Sequence, residues 1–247
     1  MEKFTDFGFE RVSESEKGKR VAKVFDSVSS RYDLMNDLMS LGIHRFWKKI
    51  AVDMAGLRPG MSVLDLAGGT GDLSRRIANE VGSEGRIYLA DINRSMLSHG
   101  IDKLMDHGLW PQVRAVQVNA EQLSFKSNTF DRIFIGFGLR NVTHKAQALK
   151  EMANALKPGG KLLVLEFSEP KPVLLKKLYD LYSFKVLPLI GKQVANDEAS
   201  YRYLAESIRM HPNQEALKGM MIESGFDRCD YFNLSGGITA IHVGVKY

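Results

Sequence analysis

The chain reads as an α/β protein: a doubly wound, mostly parallel seven-stranded sheet of Rossmann-like type, with an N-terminal helical cover and a helical lid insert. Three observations predict this. Short apolar runs alternate with helical patterns between residues 62 and 167, as in a parallel sheet wound with helices on both faces. The first of those runs ends in a glycine-rich turn, Gly68-Gly69-Thr70-Gly71, that opens a helix. Two closing apolar runs joined by Ser235-Gly236-Gly237 read as a hairpin, so one of those strands must run against the rest.

Taken in order, residues 17–56 place Val21, Val24, Phe25 and Val28 at helical spacing and supply most of the cover, residues 1–57. After the Arg58-Pro59-Gly60 turn the pattern predicts strands at 62–67, 86–91, 113–118, 130–136 and 161–167. Helices at 71–81, 94–107 and 144–156 lie among them, the last stopped by Lys157-Pro158-Gly159-Gly160. Residues 171–211 form a largely helical insert, and a helix at 213–224 leads to strands at 226–234 and 238–246. A single domain spanning residues 1–247 accommodates all of this.

Composition excludes several classes. With 44% hydrophobic residues the chain can bury a core and is not disordered. It contains no run of eighteen apolar residues, so no membrane span is expected. Acidic residues Glu2, Asp6, Glu10 and Glu14 near the start argue against a signal or transit peptide. The lone Cys229 excludes an internal disulfide and a cysteine metal cluster, and suits a reducing cytosol. His99, His107 and His242 lack partner spacing, so no metal site is expected. The net charge of +5 is compatible with an anionic membrane surface. No basic stripe interleaved with aromatics flanks the crevice, so nucleic acid is not expected as a partner.

The glycine turn carries the ligand signal. It lacks the G-x-G-x-x-G spacing of a dinucleotide fingerprint, and Asp65 and Asp72 bracket it. Carboxylates are poor company for a pyrophosphate but suit a cationic ligand, such as the ammonium and sulfonium of S-adenosylmethionine. Twenty residues after Gly71, a second strand ends at Asp91, placed to accept both ribose hydroxyls. A third ends in Asn119-Ala120, where an amide and a backbone N–H can read adenine. The competing reading is a βα turn whose glycines serve close packing alone.

Two longer segments point to a family. Residues 32–47, Y-D-L-M-N-D-L-M-S-L-G-I-H-R-F-W, resemble the first signature of the ubiquinone/menaquinone biosynthesis C-methyltransferases, and residues 155–168, A-L-K-P-G-G-K-L-L-V-L-E-F-S, resemble the second. F-G-L-R-N-V at 137–142 and A-N-D-E-A-S-Y-R-Y-L-A-E-S-I-R at 195–209 are similar to that family as well, so the resemblance runs essentially end to end. It departs at Asn154-Ala155, where an Arg-Val pair is usual, and at Gly136, where a serine is common and only backbone remains to meet the cofactor. The resemblance implies a class I methyltransferase fold with S-adenosylmethionine as cofactor. Asp65, Gly68, Thr70, Gly71, Asp91, Asn119, Ala120 and Gly136 would hold it. It also implies a prenylated quinol substrate methylated on a ring carbon. The enzyme would be cytoplasmic and peripheral at the inner face of a bacterial membrane, with a homodimer or a quinone-biosynthesis assembly as protein partners.

That chemistry needs a cation beside the quinol oxygen and a group to take its proton. Arg140 and Asn141, just past the strand at 130–136, are the first candidates, with a surface ion pair as the plainer role for Arg140. His44 has a suitable pKa for a base, although a histidine beside Trp47 is more often packed in a core. Tyr32 lines the pocket or caps a helix, and Tyr182, Tyr201, Arg202 and Tyr203 contribute to the quinol pocket. In the insert, Leu174, Leu175, Leu178, Leu181, Tyr182 and Val186 share one helical stripe. The stripe reads first as a lid packed over the cofactor, and second as an apolar wall for a prenyl tail with Lys176, Lys177 and Lys185 near headgroups. Two rivals remain: a methyltransferase for another small aromatic molecule, and a cofactor-binding organiser without catalysis.

Overall fold

The computed structural model describes residues 2–29, 32–110, 112–195 and 197–247, without the side chains of Asp33, Met39 and residues 193–195. The chain opens with a hairpin the sequence pattern does not announce, β1 (Phe4–Phe7) against β2 (Glu10–Ser13). Three helices follow in place of one continuous helical stretch: α1 (Glu14–Val28), α2 (Tyr32–Ser40) and α3 (His44–Ala55). Leu41 and Gly42 break the run with φ of 51° and 78°, a conformation that no helix continues. Ser30 and Arg31, within the same stretch, lie outside the described residues.

The strands β3 (Ser62–Leu66), β4 (Arg86–Asp91), β5 (Val113–Gln117), β6 (Phe130–Gly136), β7 (Leu156–Phe167), β8 (Arg228–Leu234) and β9 (Thr239–Val245) form one sheet. Its order is β5-β4-β3-β6-β7-β9-β8. All neighbours from β5 to β7 pair in parallel, while β9 runs antiparallel to both β7 and β8, as the closing hairpin requires. β7 begins earlier than the apolar run indicates, because Leu156 pairs with Phe130 ahead of a register shift.

Alternate residues of each strand serve opposite faces. Leu64, Leu66, Ile133, Ile135, Leu162 and Val164 pack on one side with α6 (Lys145–Ala155) and α10 (Gln214–Glu223). Val63, Ile87, Leu89, Phe134 and Leu163 pack on the other with α4 (Asp72–Val81), α5 (Arg94–Asp106) and α3. Burial on both faces explains why these strands read as continuous apolar runs. The chain winds outward from β3 through β4 to β5, then returns to β6 on the far side of β3. A ligand crevice belongs at the carboxyl ends of strands where the direction switches.

The insert consists of α7 (Val173–Leu181), a π-helical turn (Tyr182–Val186), α8 (Leu187–Ala195) and α9 (Glu198–Met210). Asn196, part of the resemblance noted above, lies outside the described residues. The leucine stripe does not cover the cofactor crevice. Leu174, Leu178 and Leu181 are 71%, 56% and 57% exposed, while Tyr179, Ser183 and Leu187, four residues apart, face the protein. Helical spacing identifies an apolar face; it does not say what lies against it.

Candidate active site

Four strand ends converge on a cavity of about 400 Å³. Its walls are Leu66 and Ala67 after β3, Asp91 at the end of β4, Val118, Asn119 and Ala120 after β5, and Phe137 and Gly138 after β6. Gly18, Val21, Ala22 and Phe25 of α1, with Tyr32 of α2, close it from above. Ala67 and Phe137, the first residues past two adjacent strands, hold φ at 52° and 57°. Such strain in side-chain-bearing residues concentrates at ligand sites.

Asp91 sits at the cavity wall, its Oδ2 accepting the Gly69 N–H at 3.0 Å and its Oδ1 the Asn93 N–H at 2.8 Å. Burial pushes its carboxyl up to about 6 against those two bonds. Gly69 is glycine of necessity: φ is 53°, and a Cβ would stand 2.9 Å from Met96 Cε. Asn119 accepts the Glu121 N–H through Oδ1 at 2.9 Å, which fixes the turn after β5.

Asp65 acts from beneath the loop. It is fully buried, receives the Ser74 hydroxyl on Oδ2 at 2.7 Å, and has no hydrogen-bond partner on Oδ1 among the described residues. Burial pushes it up to about 6. A Cβ on Gly68 would lie 2.8 Å from its carboxyl carbon, so the loop backbone rests directly on this carboxylate. Thr70, Gly68, Gly136 and Tyr32 border a small recess behind the cavity. A Cβ on Gly136 would meet Leu73 Cδ1 at 2.7 Å, so the serine common in the family would have to displace that leucine.

Several expectations need correction. Asp72 does not face a cationic ligand: Lys48 bonds it at 2.9 Å, Arg75 and Arg76 approach within 3.6 and 3.5 Å, and the carboxyl falls to about 2 although burial opposes this. His44 and Gly71 border a separate pocket on the other side of the glycine turn. The His44 ring bonds Asp37 at 2.9 Å, and burial, then Lys48, holds its pKa below the ordinary value. It is a core histidine, not a base for this cavity. Arg202 points outward to Glu198 at 2.7 Å with 59% of its side chain exposed. Tyr201 is fully buried, its ring filling the space left by Gly191. Tyr182 donates its hydroxyl to the Leu38 carbonyl and so fastens the insert to α2.

Arg140 is not a surface ion-pair partner either. It is 4% exposed, and its Nη1 bonds Glu166 Oε1 at 2.9 Å and the Phe137 carbonyl. Its backbone N–H donates to Glu166 Oε2 at 3.2 Å, and its guanidinium carbon stands 5.8 Å from the Phe167 ring centre. Nε and Nη2 have no hydrogen-bond partner among the described residues. The guanidinium acts electrostatically on Tyr32 and Tyr203, and the next residue, Asn141, lines the cavity. Glu166 was missed in the sequence, since an acid inside an apolar strand reads as a solvent-facing interruption.

Tyr203 extends the arrangement. Its hydroxyl donates to Asn141 Oδ1 at 3.0 Å, and its ring stacks on Phe7 of the opening hairpin at 4.2 Å. Phe9 donates its N–H to Glu206 of α9 at 3.1 Å. The hairpin thus clasps α9, and α9 holds the loop after β6.

Comparison with known proteins agrees with the fold. Residues 12–246 match the ubiE/COQ5 methyltransferase family. Ubiquinone/menaquinone biosynthesis C-methyltransferase UbiE of Methylococcus capsulatus is 61% identical over 246 residues, covering 100% of this chain and 99% of that protein. The protein of that name from Pseudomonas paraeruginosa is 60% identical over 242 residues, 98% of this chain and 94% of its own. Among solved structures, the [4+2]-cyclase SpnF superposes with a TM-score of 0.67 at 16% identity, covering 92% of this chain and 94% of its own. A possible histamine N-methyltransferase from Thermotoga maritima gives 0.65 at 18%, covering 91% and 99%; both show the fold alone. By sequence over nearly its whole length, the chain belongs to the ubiE/COQ5 methyltransferase family.

Proposed function

We propose that this chain uses S-adenosylmethionine to methylate a ring carbon of a prenylated quinol in ubiquinone and menaquinone biosynthesis, either demethylmenaquinol or a 2-polyprenyl-6-methoxy-1,4-benzoquinol. The residues present fit that cofactor. Asp91 would hold the ribose hydroxyls, Asn119 and Ala120 the adenine, and the backbone of Gly68, Gly69, Thr70 and Gly136 the remainder. The Oδ1 of Asp65 beneath the loop, without a hydrogen-bond partner among the described residues, favours an ammonium over a phosphate.

When bound, S-adenosylmethionine supplies an electrophilic methyl group carried on a sulfonium. The protein's task is to make a ring carbon nucleophilic and to aim it. The observation that carries the reading is Arg140, a buried guanidinium with two nitrogens unbonded among the described residues, next in sequence to cavity-lining Asn141 and acting electrostatically on cavity-lining Tyr32. A permanent cation there lowers the pKa of a quinol hydroxyl and stabilises the phenolate that pushes charge into the ring. Glu166 keeps that cation oriented, and Tyr203 orients Asn141. Val21, Ala22, Phe25 and Phe137 give the cavity apolar walls that exclude water, which favours a step in which opposite charges cancel. Alignment of the two reactants is worth roughly 7–11 kcal/mol of barrier. Because the prenyl tail keeps the substrate in a bilayer, the enzyme works as a peripheral protein on the cytoplasmic side of the membrane.

Methyl-labelled S-adenosylmethionine and a short-chain demethylquinol test this, read by tandem mass spectrometry. One labelled methyl on a ring carbon is expected with the quinol and none with the oxidised quinone, which cannot form the nucleophile. Absence of ring methylation, or label on oxygen alone, overturns the proposal.

A further inference from the structure

The outward face of α7 and α8 has a composition that solvent does not explain. Leu174, Leu178, Leu181 and Leu189 are between 56% and 71% exposed, and they recur at helical spacing along one side of the insert. The opposite side is anchored by Tyr179, Ser183 and Leu187, so the leucines are held outward rather than left over from loose packing. Lys171 just before α7, Lys177 of α7, Lys185 of the π-helical turn and Lys192 of α8 are exposed as well. The single acid between residues 171 and 192, Asp180, is engaged by Arg209. Phe9, 60% exposed at the tip of the opening hairpin, stacks on Phe184 of the π-helical turn at 5.9 Å. No helix among the described residues is long and apolar enough to cross a membrane.

We infer that this face docks on an anionic bilayer, with the leucines entering the acyl boundary and the lysines reaching lipid phosphates. The occupant follows from charge complementarity: a lysine-rimmed leucine face without an unpaired acid matches an anionic lipid surface, and like charge repels a second copy of itself. The inference rests on the prenylated-quinol reading only for its purpose; the chemistry of the face stands alone.

The full chain is tested by flotation with vesicles of phosphatidylcholine, alone or with phosphatidylglycerol. Binding is expected to the anionic vesicles, weakening with salt. Leu178→Gln/Leu181→Gln should lose binding at least tenfold, and Lys177→Gln/Lys185→Gln roughly fivefold per lysine. Both double variants should methylate a short-chain soluble quinol at the wild-type rate and a long-chain quinol in vesicles more slowly. Wild-type chain that ignores anionic vesicles, or leucine variants that bind like wild type, overturn the inference. So does a stable dimer that the leucine variants dissociate while vesicle binding is unchanged. Vesicle binding without methylation of any quinol leaves the docking face standing and removes the substrate assignment instead.

Discussion

Replacing Glu166 by glutamine probes the pair that orients Arg140. The two groups lie 2.9 Å apart with side chains 1% and 2% exposed. At an effective dielectric of about 20 their attraction is about 6 kcal/mol, set against the desolvation of both. Losing one charge leaves the other buried and unpaired, for which about 3–5 kcal/mol of destabilisation is expected. Glu166 also accepts the backbone N–H groups of Arg140 at 3.2 Å and Phe167 at 3.0 Å, on different oxygens, and an amide can satisfy only one side. At roughly 2–4 °C per kcal/mol for a chain of this size, the melting midpoint should fall by roughly 6–20 °C. The assay is thermal and denaturant unfolding of the wild type, Glu166→Gln, Arg140→Met and the double variant. The double variant should be less destabilised than the two singles added together, by about 2 kcal/mol or more. Turnover of the glutamine variant should fall in kcat with calorimetric cofactor affinity unchanged. Additive effects, or a midpoint within about 1 °C of wild type, would refute the coupling.

Tyr203→Phe keeps the ring on Phe7 and deletes the bond to Asn141, so kcat should drop roughly fivefold, about 1 kcal/mol, with cofactor affinity intact; an unchanged kcat would separate Tyr203 from the reaction. Asp65 has a folded pKa raised from 3.8 to about 6, so its contribution to stability is present below 3.8 and lost as pH rises through 6. Asp65→Asn should therefore gain about 3 kcal/mol relative to wild type between acid and mildly alkaline pH, measured by denaturant melts without cofactor, and a pH-independent difference would contradict the buried-carboxylate description. Gly69→Ala meets both a left-handed φ of 53° and Met96 Cε at 2.9 Å, so cofactor affinity should fall. Adding Met96→Ala should restore it only in part, because the backbone strain persists.

The sheet was legible because its strands are buried on both faces and separated by turns with strong local chemistry, such as Lys157-Pro158-Gly159-Gly160. Asp91, Asn119, Ala120 and Asn141 were legible for a related reason: each follows an apolar run at a strand's carboxyl end, and all line the cavity. Features built from distant partners left little local trace. The opening hairpin is too short and polar to stand out, yet it is secured by Tyr203 and Glu206, roughly two hundred residues on. His44 and Arg202 carry the right chemistry but face elsewhere, which depends on how α3 and α9 rotate against their neighbours. Asp72 looked available to a ligand until Lys48, twenty-four residues away, arrived beside it.

Calorimetric titration of wild type and Asp91→Ala with S-adenosylhomocysteine, and in parallel with NAD, asks whether these strand ends cradle a sulfonium nucleoside. Saturable heat with the thioether in the wild type, at least a tenfold loss in the variant, and none with NAD are expected. No heat with the thioether and tight uptake of NAD would contradict it.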